Sequence, residues 1–520
     1  MGKLILTNRA ALQRKYGSQM SRIDAAVAAL IQSDSRNGIE TKVIAVDSPQ
    51  AMRPFGPAVK EPADQRQNKA AVDAVDRELD PDYILLLGSI DVIPHQELSN
   101  PLYRKGGDDD RVVPSDLPYS CEEGWSSEPK DFTAVTRVVG RLPDICGATN
   151  PGYLIKLLKN ASRARALSPA VFRNYFGITA EIWKTSTMLS LEAVFGSSTD
   201  LQQIPPRKFR WSPTLLERRA HFINCHGSPS SYQFFGQPKS GAQQYPVSHD
   251  GTYIPGKITS GTVVAAECCY GAQLFDPNPT KMASAGLCNV YLGNGAHGFF
   301  GSSTIAYGPD ITNDWADNIC QYFWREILQG ASLGSAVLRA RQNYVKERSK
   351  LDPVDQKTLA QFNLLGDPSI HPVRVPVSDN AVLHTKGIGQ ANAHSLSLAV
   401  GRSDRRRSMA LTGMAISQST GVAVPTARRT GVRVSSALQS LARRAHIEKP
   451  EMRAYDIDEP VRKPASAAVN NKHLASPAKE RIHLIMGTGR GHRAQMPQII
   501  AIVAKEENGQ IVNYRTGYSR

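Results

Sequence analysis

The sequence lacks the apolar runs that mark exported and membrane-spanning proteins. None of its 520 residues forms a stretch near the 18 or so apolar residues that a membrane span needs. At the N-terminus, Met1–Arg9 contains only the short apolar run Leu4-Ile5-Leu6, which is too short for a signal peptide. We therefore expect a cytoplasmic protein without a membrane span.

Cysteine is scarce and follows no metal-binding or disulfide pattern. The spacing contains no C-x-x-C pair, which argues against a zinc site, and the odd count argues against a small disulfide framework. A reducing compartment fits this usage, and we expect no metal and no cofactor. The seven cysteines are Cys121, Cys146, Cys225, Cys268, Cys269, Cys288 and Cys320.

Acidic residues are few in one part of the chain only. Residues 379–520 contain 22 Lys and Arg against 10 Asp and Glu, so they hold most of the net charge of +15. Such asymmetry predicts a separate basic module. It is either a flexible appendage or a surface for nucleic acid or another acidic partner. Aromatic side chains, on which the bases of single-stranded nucleic acid stack, are scarce there, which argues against binding of single-stranded nucleic acid.

Two apolar segments each stop at a chemically reactive residue. Ala220–Ser228 contains His226, and Thr262–Ala272 contains Cys269. Both segments are typical of buried strands, and parallel neighbours end at the same sheet edge, where α/β proteins place their sites. A thiol beside an imidazole is the minimum equipment for a cysteine nucleophile. The alternative is a pair of core cysteines with a hydrogen-bonded histidine at a strand end.

These motifs resemble those of the gingipain-like branch, peptidase family C25, of the caspase superfamily of cysteine peptidases. The resemblance covers about residues 1–375 and rests on the order and spacing of several passages. It implies an α/β fold of tandem subdomains with mainly parallel sheets. The matching passages are His226-Gly227-Ser228, Glu267-Cys268-Cys269-Tyr270-Gly271, Asp82–Gly88 with Ile93-Pro94-His95, Asp116-Leu117-Pro118-Tyr119, Val138–Pro143 and Asn363–Ser369.

The resemblance also implies a mechanism of acyl transfer to sulfur. Cys269 attacks the scissile carbonyl, and the backbone N–H groups of Gly227 and Cys269 stabilise the oxyanion. His226 donates a proton to the leaving amine. Glu181 matches by position the residue that orients the histidine; the alternative is an acid at a helix N-terminus. The family's insertion with an acidic specificity residue is not recognisable, so a basic specificity pocket is not predicted.

The adjacent cysteines are distinguished by the alternation of side chains along a strand. Glu267 followed by one residue and then Cys269 fits the family pattern, which predicts that Cys268 points into the sheet. We also expect Glu267 and Tyr232 to line the substrate cleft. Tyr232 lies in a loop predicted at 227–256, and packing of that loop onto the domain is the alternative.

Four units are predicted along the chain. Residues 1–150 form an N-terminal α/β subdomain, residues 151–375 a caspase-like catalytic subdomain, residues 376–450 a basic linker, and residues 451–520 a small β-rich module. Within the first unit, the acidic run Asp108-Asp109-Asp110 is expected to be a solvated loop, with calcium binding as the alternative.

The sequence thus predicts an intracellular cysteine endopeptidase that acts on protein substrates and is controlled by an activating or inhibitory protein partner. The alternative is a catalytically silent caspase-fold scaffold whose basic tail binds a partner or nucleic acid.

Overall fold

The computed structural model describes residues 1–240, 244–277, 285–375, 407–458, 480–489 and 498–520. The strands are β1 (Gly2–Thr7), β2 (Glu40–Ala45), β3 (Tyr83–Leu87), β4 (Gln96–Ser99), β5 (Val112–Ser115), β6 (Val139–Leu142), β7 (Tyr175–Ala180), β8 (Leu201–Ile204), β9 (Ala220–Asn224), β10 (His226–Gly227), β11 (Gln233–Phe235), β12 (Val247–Asp250), β13 (Val263–Ala266), β14 (Gly298–Ser302), β15 (Tyr307–Gly308), β16 (Lys350–Leu351), β17 (Phe362–Gly366), β18 (Gly421–Pro425), β19 (Ile447–Asp458), β20 (Glu480–Gly489), β21 (Ile499–Glu507) and β22 (Gln510–Ser519).

The α-helices fall mainly between the strands of the first 375 residues. They are α1 (Arg9–Tyr16), α2 (Met20–Arg36), α3 (Pro49–Met52), α4 (Gln65–Leu79), α5 (Gly152–Ser162), α6 (Pro169–Arg173), α7 (Lys184–Phe195), α8 (Pro213–Leu216), α9 (Leu287–Gly293), α10 (Ala316–Leu328), α11 (Leu333–Lys346), α12 (Pro353–Gln361) and α13 (Val432–Arg444). Residues 407–417 are also helical. Among the described residues no helix is long and apolar enough to cross a membrane.

A ten-stranded, mainly parallel sheet forms the centre of the molecule, with strand order β2-β1-β3-β6-β17-β14-β13-β9-β7-β8. This confirms the predicted α/β class. Strand β17 runs parallel to β6 and antiparallel to β14. The carboxyl ends of β9 and β13 therefore lie at the opposite edge from those of β1, β3 and β6. The edge that carries His226 and Cys269 is built by the second half of the sheet alone.

The central strands are buried on both faces, which explains their continuous apolar sequences. Every residue of β3, β9, β13 and β14 is buried. Helices of both halves cover the two faces. One of them, α12, begins with a capping box in which Asp352 accepts from the backbone N–H of Asp355 and Asp355 accepts from that of Asp352.

A second sheet contains the C-terminal strands and has the order β15-β22-β21-β20-β19-β18-β16. Its two edge strands, β15 and β16, come from the part of the chain predicted to be catalytic. At the β21–β22 hairpin, Asn508 and Gly509 have φ of 51° and 77°. Positive φ at both central residues is typical of a type I′ turn, which an Asn-Gly pair favours.

Regular structure is present within the described residues of the predicted linker. These residues contain the helix at 407–417, β18 and α13. Strand β18 gave no signal of its own because it is short and becomes a strand by pairing with β19. Helix α13 packs Val434, Leu438 and Leu441 against the sheet, whereas Val432 is 85% exposed.

The predicted loop at 227–256 is also partly structured. It contains β10, β11 and β12, which form a small antiparallel sheet beside the carboxyl end of β9. Phe234 of β11 is buried in the main core. The Gly-, Pro- and Ser-rich composition concealed these short strands, because none of them shows a clear alternation of apolar and polar residues.

Candidate active site

The two adjacent cysteines follow β13 and face different neighbours. The Cys268 thiol lies against β9, where it accepts from the backbone N–H of Cys225 at 3.4 Å and lies 3.8 Å from the Ile223 carbonyl. The Cys269 thiol lies against Ala306 instead, at 3.2 Å from its N–H and 3.6 Å from its carbonyl. Tyr270, which follows, has φ of 55°, so the chain turns sharply just after Cys269.

His226 follows β9 and is held by side chains from the neighbouring loops. Its Nε2 lies 2.6 Å from Oε1 of Gln237. Because an amide oxygen only accepts, this contact requires the proton on Nε2 and leaves the lone pair on Nδ1. The rings of Trp183 and Tyr245 lie 4.4 Å and 5.0 Å from the imidazole, centroid to centroid.

At Gly227, the backbone that follows β9 lies directly against the backbone of the turn that follows β13. A Cβ at this position would lie 1.6 Å from the carbonyl oxygen of Cys269. Only glycine fits such a close approach of two backbones. The neighbour that requires glycine is therefore the peptide group of Cys269.

The backbone N–H groups of Gly227 and Cys269 converge on one oxygen atom. They donate to the main-chain oxygen of Arg520, the residue that follows β22, at 3.5 Å and 3.2 Å. The N–H of Arg520 in turn donates to the carbonyl of Ala306 at 3.0 Å. Arg520 thus lies beside the Cys269 thiol with its main-chain oxygen on the two amides that the sequence predicted as oxyanion donors.

The side chain of Arg520 fills a closed acidic pocket and is fully buried. Its guanidinium donates to Asp317 at 2.8 Å and to the Pro309 carbonyl at 2.9 Å, and Glu267 lies 3.8 Å away. A further N–H donates to Asn224, and the guanidinium lies 4.8 Å from the centroid of the Trp183 ring.

The wall of this pocket includes Gly308 of β15. A Cβ on Gly308 would lie 2.0 Å from a guanidinium nitrogen of Arg520. A planar guanidinium held by a carboxylate, a carbonyl and an amide oxygen is a recognition geometry that a lysine ammonium does not reproduce. The pocket is therefore shaped for arginine.

Burial raises the pKa values of three ionisable groups of the site. Burial and the neighbouring Asp317 charge raise the pKa of Glu267 well above its usual range. Burial raises the pKa of Asp317 to about 6, although the Arg520 charge opposes this. Burial also raises the pKa of the Cys269 thiol to about 12, so the thiol is neutral while Arg520 covers it.

The acidic run Asp108-Asp109-Asp110, which was predicted to be a solvated loop, contacts residues that adjoin the site. Asp108 is buried, pairs with Lys357 and accepts from the Tyr307 hydroxyl at 2.9 Å. Asp110 accepts from the Tyr270 hydroxyl at 2.9 Å and from the Ile305 N–H at 3.2 Å. The solvated interpretation was wrong for Asp108 and Asp110, because their carboxylates find partners far along the chain, whereas Asp109 is exposed. Among the described residues no group of three or more His, Cys, Asp or Glu side chains is placed to hold a metal ion.

Two predicted site residues lie to the side of this arrangement. A carboxylate oxygen of Glu181 accepts from the backbone N–H of Lys239 at 3.3 Å, in the loop that also carries Gln237. Tyr232 is half-buried, and its carbonyl accepts from the N–H of Gly251 at 2.9 Å. Their roles in orienting the histidine and in contacting substrate stay predictions.

Four residues of the arrangement were not predicted. Asn224 had a signal, because it lies two positions before His226 on a strand and shares its side. Asp317 lies in the first turn of α10, where an acid is ordinarily read as a helix-dipole partner. Gln237 and Arg520 gave no local signal.

Comparison with known proteins agrees with this geometry. Residues 225–373 match the model of peptidase family C25. The search of curated proteins gave no match.

Solved structures of the Saccharomyces cerevisiae separase–securin complex also match. One separase chain shows 14% identity over 45% of this chain, with a TM-score of 0.28, and a second shows 12% identity over 46% with a TM-score of 0.27. The present chain spans 14% of the length of each. Residues 225–373 are thus similar to peptidase family C25, and they lie in a chain with a mainly parallel α/β sheet.

Proposed function

We propose that this protein is a cysteine endopeptidase that cleaves protein chains on the carboxyl side of arginine. One observation carries the proposal: Arg520 places its main-chain oxygen on the amides of Gly227 and Cys269 and its guanidinium on Asp317. An arginine that precedes a scissile bond needs both contacts at once, next to the attacking thiol.

The chemistry requires Cys269 and His226 to share one proton. The thiol proton passes to His226 as sulfur attacks the carbonyl, and the oxyanion forms on the two amides. The C–N bond then breaks, and His226 gives the proton to the leaving amine. Water attacks the thioester by the reverse sequence, which releases the acid and restores the thiol.

Gln237 is the residue that we propose to orient His226. Its amide oxygen lies 2.6 Å from Nε2 and accepts the proton there, which fixes the orientation of the imidazole ring. Trp183 packs against both the imidazole and the Arg520 guanidinium. It therefore links the position of the general acid to occupancy of the arginine pocket.

The setting of the enzyme follows the sequence-based prediction. All seven cysteines are free in the structure, which supports a reducing, cytoplasmic compartment. A scaffold that binds nucleic acid through its basic tail remains the competing function. In that alternative the protein has no activated thiol and does not hydrolyse peptides.

The proposal is tested with short peptides that carry a fluorogenic amide after arginine, lysine or aspartate. The wild-type chain is expected to release the fluorophore after arginine, and Cys269→Ala is expected to release none. Cys268→Ala is the matched control, because it removes a thiol one residue away that faces β9. Equal release by wild type and Cys269→Ala, or no release after arginine, would reject the endopeptidase proposal.

A further inference from the structure

We infer that the last strand of this chain, β22 with Arg520, occupies the substrate cleft of its own active site and competes there with peptide substrates. The inference rests on the proposed function, because it assigns the natural occupant of the same cleft. It follows from four sets of contacts made by residues 515–520.

The first set is the strand pairing next to the thiol. β22 lies antiparallel to β15, with Ser519 opposite Tyr307 and Tyr518 opposite Gly308. An extended peptide that adds to a free sheet edge gains backbone hydrogen bonds along its length. β15 is a two-residue strand from the part of the chain predicted to be catalytic, and β22 pairs with it in this way.

The second set is the arginine pocket, which Arg520 closes completely. The guanidinium of Arg520 has no exposed surface and meets the buried carboxylates of Asp317 and Glu267. A buried Asp317 carboxylate without a cation is costly, since its charge would be desolvated and unpaired. The pocket therefore favours a bound guanidinium, and Arg520 supplies one from within the chain.

The third set consists of ion pairs that hold β22 in place, so that Arg520 stays close to its pocket. Arg515 pairs with Asp314 at 2.6 Å and Asp355 at 3.1 Å, and also with Asp352. Arg348 pairs with Asp314 at 2.6 Å and with Asp355 at 2.7 Å, so the same carboxylates tie β22 to helices α11 and α12.

The fourth contact fixes the path between the anchor and the pocket. A Cβ on Gly517 would lie 2.6 Å from the Trp315 ring, so the strand passes flat against that ring. Arg515 also lies 5.0 Å from the Trp315 centroid. The anchor, the flat passage and the pocket form one continuous track from residue 515 to residue 520.

A peptide substrate must use the same groups that this track already holds. It needs the amides of Gly227 and Cys269, the Ala306 carbonyl and the Asp317 carboxylate, and all four are engaged by Arg520. An occupant tethered in the same chain acts at a high effective concentration. The apparent affinity for substrate is then the intrinsic affinity multiplied by the fraction of molecules whose cleft is empty.

The test compares Arg520→Ala with the wild-type full chain and with Val512→Ala, which removes a 51% exposed side chain from the same strand. Hydrolysis of the arginyl peptide is followed over a range of concentrations. We expect Arg520→Ala to lower KM by about tenfold or more while kcat changes little, since only a competitor is removed. Val512→Ala should behave as wild type. Equal KM values in Arg520→Ala and wild type would overturn the inference.

A second measurement keeps the inference separate from catalysis. Hydrogen exchange is measured in the Cys269→Ala background, with and without Arg520→Ala. We expect amides of residues 226–227, 307–308 and 518–519 to exchange faster when Arg520 is absent. Unchanged exchange in these segments would overturn occupancy even if arginyl peptides are cleaved. Faster exchange without any cleavage would uphold occupancy and reject the proposed function instead.

Discussion

The central sheet and the C-terminal sheet both contribute to the candidate site, and their contributions differ. The second half of the central sheet supplies the thiol, the imidazole and two converging amides from turns that follow β9 and β13. The C-terminal sheet supplies no reactive group at this point; it supplies the arginine that covers them. Chemistry is thus encoded in short local motifs, whereas occupancy depends on contacts between distant residues, such as the side-chain hydrogen bond from Arg520 to Asn224, which lie 296 positions apart.

This difference makes the two regions separable by mutation. Changes at the strand ends of the central sheet should remove activity, and changes in the pocket should alter substrate choice. A change at the end of β22 should raise activity. The predictions below run from the largest expected loss to the smallest.

The largest effect is expected at the thiol. Cys269→Ala should lower the rate of arginyl-peptide cleavage by about 10⁴-fold or more, because the attacking atom is gone. Cys268→Ala should keep most of the activity, since that thiol contacts β9 and not Ala306. Initial rates and thermal unfolding of both variants check this. A dead Cys268→Ala with an active Cys269→Ala would mean that the cysteine register is shifted by one residue.

The histidine and its orienting partner come next. His226→Ala should lower kcat by about 10²–10⁴-fold, the range for losing a general acid–base group. Gln237→Ala should lower kcat by about tenfold and shift its pH profile, because the imidazole loses the partner of Nε2. Glu181→Ala is the informative comparison, since its carboxylate contacts the Lys239 N–H. A larger loss in Glu181→Ala than in Gln237→Ala would return the orienting role to Glu181.

The pocket should decide substrate choice with a smaller effect. Asp317→Asn should lower kcat/KM for arginyl peptides by about 100-fold, which corresponds to the roughly 2–5 kcal/mol cost of leaving a buried charge without its partner. Cleavage after citrulline, a neutral shape analogue of arginine, should be much less affected. An Asp317→Asn enzyme that keeps its full preference for arginine over citrulline would show that another group reads the charge.

The smallest effect is the pH dependence of that preference. Burial raises the pKa of Asp317 to about 6 even with a guanidinium beside it, so the empty pocket protonates at or above this pH. A protonated Asp317 no longer attracts a cation. The arginine-over-citrulline ratio of kcat/KM should therefore fall as pH drops through about 6. Titration of Cys269 and His226 affects the cleavage of both peptides alike and therefore cancels in the ratio. A ratio that stays constant from pH 5 to 8 would contradict the assignment of Asp317 as the group that recognises the charge of arginine.

The sequence predicted the elements whose signal is local. The passage Asp82–Gly88 contains the observed strand Tyr83–Leu87, because a buried parallel strand is a continuous apolar run between polar residues. The strand ends at His226 and Cys269 were predicted for the same reason. The Asn508-Gly509 turn is likewise a local signal, because only a few residue pairs tolerate positive φ at both positions.

The sequence failed where a role is created by distant contacts. Asp108 and Asp110 look like surface acids in a glycine-rich run, yet Lys357 and Tyr270 bury them. Asp317 looks like an ordinary acid at a helix start until Arg520 is placed beside it. The sequence left basic specificity open because the family's insertion is not recognisable, whereas the acidic side chains around Arg520 come from α10 and from the residue after β13.

The most direct measurement is covalent labelling with a peptide that carries arginine followed by a thiol-reactive ketone, with the modified residue identified by mass spectrometry. The Arg520→Ala chain should be labelled on Cys269 alone, faster than wild type and far faster than with a norleucine analogue. Labelling at Cys268 or elsewhere, or equal rates for the arginine and norleucine reagents, would contradict the account of Cys269 as a nucleophile facing an arginine pocket.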